Sequence, residues 1–341
     1  MTGEKFFTLP DKREAKLFKL RLPDGFGADI TNFGGCVVSL YTRDVQGNLR
    51  DVVLGWKNPE VYLDNPRYLG TLVGRVPNRI SGGRFTFDGK IYQLFLNDNN
   101  ICSLHGGFGY SHRLWEVENA TASELTLTLK SPDGDAGYPG NLFVRAAYRL
   151  LPNHTLELEI SAESDRPTAA DFTTHTYFNL DGENAGNCAG HSITAKADFI
   201  TETDKYLQPT GKLIDVTGTP YDLRNGRKFR DILQDLPEGF DNNFVLSHAD
   251  HNYQENAVVV TGSDSKIKLA VHTSRPGVQI YMGYCLDHEI NGKSCYEHNS
   301  GFCLETQAWP DAVNHPDFPS IRVEPGKPHH SITRYEFSIE K

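Results

Sequence analysis

Apolar residues at every second position, in short runs bounded by glycine and proline, constrain this chain more than any other feature. Leu125, Leu127 and Leu129 alternate with threonines, and Leu156, Leu158 and Ile160 alternate with glutamates. Ile267, Leu269 and Val271 repeat the pattern, and Phe337 with Ile339 reads as a closing strand. Side chains of an extended strand point alternately to its two faces, so each run describes a half-buried strand. Phe85 to Tyr92 adds a hairpin turning at Asp88-Gly89. Helical spacing is confined to segments such as Phe229 to Leu236, enough for one or two turns. Thirty-one glycines and eighteen prolines suit frequent tight turns. No low-complexity linker or charge block marks a boundary. The pattern predicts an all-β chain: one large antiparallel β-sandwich, a single domain over residues 1–341.

The formal net charge of −10 disfavours nucleic acid and anionic membranes as partners. No apolar run approaches the ~20 residues that span a bilayer. Met1 to Lys19 mixes charges with Phe6 and Phe7 and has no signal-peptide apolar core. The six cysteines show no C-x-x-C spacing. They read as reduced thiols, and the expected compartment is the cytoplasm.

Two segments carry one titratable group each among apolar or small neighbours. His175 lies in Phe172-Thr173-Thr174-His175-Thr176-Tyr177-Phe178, and Glu305 in Gly301-Phe302-Cys303-Leu304-Glu305-Thr306. A histidine among aromatics is commonly a satisfied structural residue. A carboxylate in an apolar strand needs partners or a pocket, because an unpaired buried charge is costly. Burial of that kind raises its pKa and makes it a better base near neutrality. His105, before Gly106 and Gly107, sits either in a plain turn or where backbone approaches a ligand. Gly74 to Arg84 is an irregular basic loop that is not a phosphate loop. An arginine there holds a hydroxyl or pins a carboxylate. Asp241, in Gly239-Phe240-Asp241-Asn242-Asn243-Phe244, is a turn-maker or an acceptor for vicinal hydroxyls. The histidine pairs His248/His251 and His329/His330 match no metal-binding spacing, so no metal is expected.

In this order the segments resemble the aldose 1-epimerase family. Gly74 to Phe85 resembles its G-R-x-x-N-R-I-x-x-G-x-F stretch, and Leu104-His105-Gly106-Gly107 its L-H-G-G. His175 to Leu180 matches H-[ST]-Y-F-N-L, and Phe240 to Phe244 resembles [YF]-D-x-x-[FY]. Leu304-Glu305-Thr306-Gln307, with Pro310-Asp311-Ala312 and Asn314 to Phe318, resembles the family's tail. The resemblance implies a sugar cleft across one sheet and interconversion of the α and β anomers of D-galactose or D-glucose. Glu305 would be the base on the C1 hydroxyl and His175 the acid on the ring oxygen O5. His105 would hold the substrate and help polarise O5. Asn78, Arg79, Tyr177, Asp241 and Gln279 would bind hydroxyls. Pro77 and Asn242 depart from the family's usual residues and are expected at the binding rim.

Opening a cyclic hemiacetal moves two protons and no electrons, so no cofactor is expected. A bell-shaped pH profile follows, with its acid limb assigned to Glu305 and its basic limb to His175. Tyr177, Phe178 and Trp309 are candidates for an apolar platform under the sugar. The alternatives are a non-catalytic sugar-binding sandwich, a glycoside hydrolase or lyase, and a hexose-6-phosphate epimerase using Arg75, Arg79 and Arg84. The expected partner is a monosaccharide, and the expected state a monomer, with a dimer as the alternative.

Overall fold

Two antiparallel sheets face each other across the main core. The computed structural model describes residues 2–246, 254–287 and 292–340. Every alternating run becomes a strand, Glu124–Ser131, Thr155–Ser164, Ile267–Thr273 and His329–Ile339, and Leu142–Leu151 is a further strand between the first two. They belong to a nine-stranded sheet in which the last strand, His329–Ile339, lies between Thr155–Ser164 and Ile267–Thr273. Six strands form the second sheet, in the order Tyr177–Phe178, Phe302–Gln307, Gly277–Tyr281, Asp241–Leu246, Ala197–Thr203, Pro209–Asp215. A five-stranded meander, Glu4–Thr8 to Leu49–Asp51, packs beside them.

The main core takes Leu158, Ile160, Leu269, Val271, Tyr335 and Phe337 from the nine-stranded sheet. From the six-stranded sheet it takes Phe178, Phe244, Val278, Ile280, Phe302 and Leu304. Each such side chain, fully buried, contributes about 1.5–3 kcal/mol. Polar bonds also cross this layer: Tyr335 Oη donates to the Leu304 carbonyl at 3.2 Å, and Thr306 Oγ1 meets Thr333 Oγ1 at 2.6 Å.

The expected hairpin is present as Arg84–Phe87 and Lys90–Gln93, with Asp88 and Gly89 both at positive φ. A short α-helix spans Phe229–Asp235 and buries Phe229 and Ile232. All six cysteines are free thiols. Among the described residues no helix is long and apolar enough to cross a membrane.

Candidate active site

Strand register builds the site. Gln279 lies opposite Glu305, Asn243 opposite Gln279, Asp241 opposite Tyr281, and Tyr177 opposite Cys303. Paired residues share a face of the sheet, and so do residues two apart. Leu304, Ile280 and Phe178 therefore enter the core, while Glu305, Gln279, Asp241, Tyr281 and Tyr177 line a cleft of about 160 Å³ on the other face. Asn78, His105 and His175 from loops, and Arg79 from the short strand Arg79–Ser81, complete it. Glu305, His175, His105, Asn78, Arg79, Tyr177, Asp241 and Gln279 thus line one cleft.

His175 is fixed through its backbone. Its N–H donates to the Thr71 carbonyl at 2.8 Å and its carbonyl accepts from Gly70 N at 2.9 Å. The ring is stacked against Tyr177, centroids 5.0 Å apart, and against Tyr68 at 6.0 Å. His175 Nε2 stands 3.8 Å from Glu305 Oε1, and both side chains are almost wholly buried (8% and 3% exposed). Glu305 Oε2 is buried without a hydrogen-bond partner. That orphan acceptor faces a cavity, the situation in which a group is held ready for a ligand.

His105 and Asn78 hold each other. His105 N donates to the Asn78 carbonyl at 3.0 Å, and Asn78 N donates to His105 Nδ1 at 3.2 Å. Both residues, and Tyr68 beside them, take positive φ (53°, 59° and 57°). A backbone N–H can only donate, so Nδ1 of His105 must accept, and its proton sits on Nε2. His105, His175 and Glu305 each offer an atom within 4.8 Å of the others, a spacing open to a cation. A metal at His105 would need the Nε2 lone pair, which the Asn78 contact denies it.

Arg79 Nε donates to Asp98 at 2.8 Å, which leaves the rest of the guanidinium for the cleft it lines. Gln279 Nε2 donates to Asp241 Oδ1 at 2.7 Å, aligning amide and carboxylate as neighbouring hydroxyl partners. Asp241 opens a strand, Asp241–Leu246, so the turn reading does not hold.

Burial pushes the Glu305 carboxyl well above its usual range; Asp241 adds to the shift and Arg79 opposes it. Burial lowers His175 to about 4. It drives His105 well below its usual value too, with His175 and Arg79 contributing. Both shifts favour the neutral forms, imidazole and carboxylic acid, over the charged pair. That reverses the expected limbs: His175 governs the acid side of a pH profile and Glu305 the alkaline side. A sequence shows the residue type of a group but not the dielectric around it.

Other expectations need correction. Arg75 is a buried structural residue, donating to Ser131, Pro139, Thr168 and Gly140, and Arg84 is exposed; neither lines the cleft. Pro77 and Asn242 do not line it either. Asn242, one position after Asp241, belongs to the opposite face. Phe178 is core, and Trp309 packs on Phe318 with its Nε1 donating to the Pro276 carbonyl. Gly106 approaches backbone rather than ligand: a Cβ there would lie 2.2 Å from the Gly74 carbonyl oxygen. His248 and His251 lie outside the described residues, while His330 pairs with Glu159. Pro66, Arg67, Tyr68, Tyr281, Tyr284 and Cys285 also line the cleft and were missed. Tyr281 was within reach, two residues after Gln279 on one strand; the 66–68 loop carried no such signal.

Comparison with known proteins agrees with this geometry. The aldose 1-epimerase family profile matches residues 16–336. The galactose mutarotase of Rattus norvegicus is 41% identical over 326 residues, covering 94% of each chain. The aldose 1-epimerase of Escherichia coli K12 is 32% identical across the full length of both chains. Among solved structures, an aldose epimerase homologue from C. elegans superposes with a TM-score of 0.89 at 28% identity, covering 96% of this chain and 100% of its own. Galactose 1-epimerase from Lactobacillus acidophilus gives 0.85 at 25% identity, covering 100% of this chain and 99% of its own. With the profile covering nearly the whole chain and relatives this similar end to end, the chain belongs to the aldose 1-epimerase family and is a sugar isomerase.

Proposed function

We propose that this protein interconverts the anomers of D-galactose and D-glucose, with Glu305 as base and His175 as acid. The observation that carries the reading is a buried imidazole and a buried carboxyl 3.8 Å apart in a cleft rimmed by hydroxyl-binding groups. Glu305 takes the C1 hydroxyl proton while His175 gives its Nε2 proton to O5. The C1–O5 bond breaks, its electron pair stays on O5, and C1 becomes a carbonyl. Rotation about C1–C2 presents the other carbonyl face, and closure returns both protons. His105, a donor at Nε2, holds the substrate and helps polarise O5. Asn78, Arg79, Tyr177, Asp241 and Gln279 hold hydroxyls.

The productive pair, imidazolium with carboxylate, carries the same number of protons as the resting pair, neutral imidazole with carboxylic acid. Proton transfer within the pair costs free energy but needs no exchange with solvent. A neutral sugar fits better than a sugar phosphate, because Arg75 and Arg84 lie elsewhere and the arginines lining the cleft, Arg67 and Arg79, each pair with an aspartate. We also read residues 1–341 as a single unit, monomeric and cytoplasmic, supported by the core shared between sheets and by six free thiols.

Polarimetry of freshly dissolved α-D-galactose tests the activity: the protein should hasten the approach to anomeric equilibrium, and an unchanged spontaneous rate with both galactose and glucose rejects the reading. The pH profile of kcat/KM should rise on the acid side as His175 loses its proton near 4 and fall on the alkaline side as Glu305 ionises. Asp241 raises the Glu305 value, so Asp241→Asn should move the alkaline limb to lower pH while also weakening binding. An alkaline limb that stays in place would show that Glu305 does not set it.

A further inference from the structure

The mechanism leaves one close neighbour of His175 unused. Cys303 lies two residues before Glu305 on the same strand and the same face, wholly buried. Its Sγ is 3.4 Å from His175 Nδ1. The stacked rings of Tyr68 and Tyr177 set the plane of the imidazole but leave it free to present either edge. A half-turn of the ring about its Cβ–Cγ bond keeps that plane but puts Cε1 where Nε2 faces Glu305 and Cδ2 where Nδ1 faces the sulfur. The sulfur is the group that tells the two edges apart. Around the ring stand Glu305, His105, Tyr68, Tyr177, Tyr281 and Cys303. Cys303 is the side chain hydrogen-bonded at Nδ1, and the backbone of His175 itself also bonds the ring.

We propose that Cys303 is a positioning residue that holds Nδ1 of His175, so that Nε2 faces the substrate, and that as a weak acceptor it leaves the imidazolium a strong acid. The inference rests on the role given to His175 above. A thiol has a donor and a weak acceptor, so it partners either protonation state of Nδ1. Burial, with Glu305 and Asp241 nearby, pushes the thiol well above its usual range, so it stays protonated throughout the working pH. A carboxylate or carbonyl in its place would stabilise the imidazolium and make it reluctant to give up its proton. Sulfur orients the ring without paying that penalty.

Two variants and two readouts test this. In Cys303→Ala, ¹⁵N NMR of His175 should show a mixture of tautomers in place of one, and kcat should fall about tenfold with KM little changed. In Cys303→Ser, a hydroxyl should keep the single tautomer and much of kcat. Being a better acceptor, it should move the His175 titration, and with it the acid limb of the pH profile, to higher pH. An unaltered His175 tautomer and an unaltered acid limb in both folded variants would overturn the proposal. The NMR readout does not depend on turnover. A change in tautomer in a protein that proves to have no mutarotase activity would uphold the positioning and reject the catalytic reading.

Discussion

Glu305→Gln should lower kcat for anomer interconversion by about 10²–10⁴-fold, the usual contribution of one general base, while making the protein more stable at alkaline pH. Both effects come from one cause. Glu305 is buried with an orphan oxygen, and its pKa is raised by burial and by Asp241. A raised folded-state pKa means that its contribution to stability is fully present below its ordinary value of 4.5 and is lost as the pH rises through the folded value. Glutamine cannot ionise, so Tm at pH 8 should exceed that of the wild type. His175→Ala should lose activity by a similar factor. His175 is depressed to about 4, so its contribution is full above 6.5 and lost as the pH falls toward 4. That substitution therefore brings no alkaline gain. Polarimetry and thermal melts at pH 5 and pH 8 check both. A Glu305→Gln protein that turns over normally would show that the carboxylate is not the base, and one whose melting shows no gain at pH 8 would show that its ionisation does not cost stability.

Arg75→Met should destabilise the protein by more than ~3 kcal/mol, because it strands several buried acceptors at about 1–3 kcal/mol each. The guanidinium donates to the carbonyls of Pro139 at 2.7 Å and Gly140 at 2.9 Å, to Ser131 Oγ at 2.8 Å and to Thr168 Oγ1 at 3.1 Å. These groups lie on three separate segments, which Arg75 ties together behind the 74–84 loop that carries Asn78 and Arg79. The KM of the folded fraction should change little, since Arg75 does not line the cleft. Denaturant melts beside steady-state kinetics decide it. Near-native stability with a raised KM would return Arg75 to substrate binding.

The alternation at Leu156, Leu158 and Ile160 was readable because one face of that strand is wet and the other dry. Phe302–Gln307 is buried on both faces, so its pattern hid its role, and Glu305 stood out only as a charge among apolar residues. The Gly74–Arg84 loop shows the limit from the other side. Its arginines are alike in sequence, yet Arg75 is a buried strut, Arg79 lines the cleft and Arg84 is exposed. The aromatic candidates divide in the same way: Tyr177 and Phe178 are adjacent in a strand and must face opposite sides, one to the cleft and one to the core.

The sequence by itself determined the half-buried strands, the hairpin at Asp88-Gly89, and two titratable groups set among apolar neighbours, because period-two burial and an isolated charge in an apolar run are local properties. The tertiary structure decided that the last strand is central, that His175 comes within 3.8 Å of Glu305, and that both lie where water is scarce. Register across strands distant in sequence sets the first two. The third, burial, reverses the expected protonation order, since the cost of holding a charge depends on everything packed around it and not on the residue that carries it.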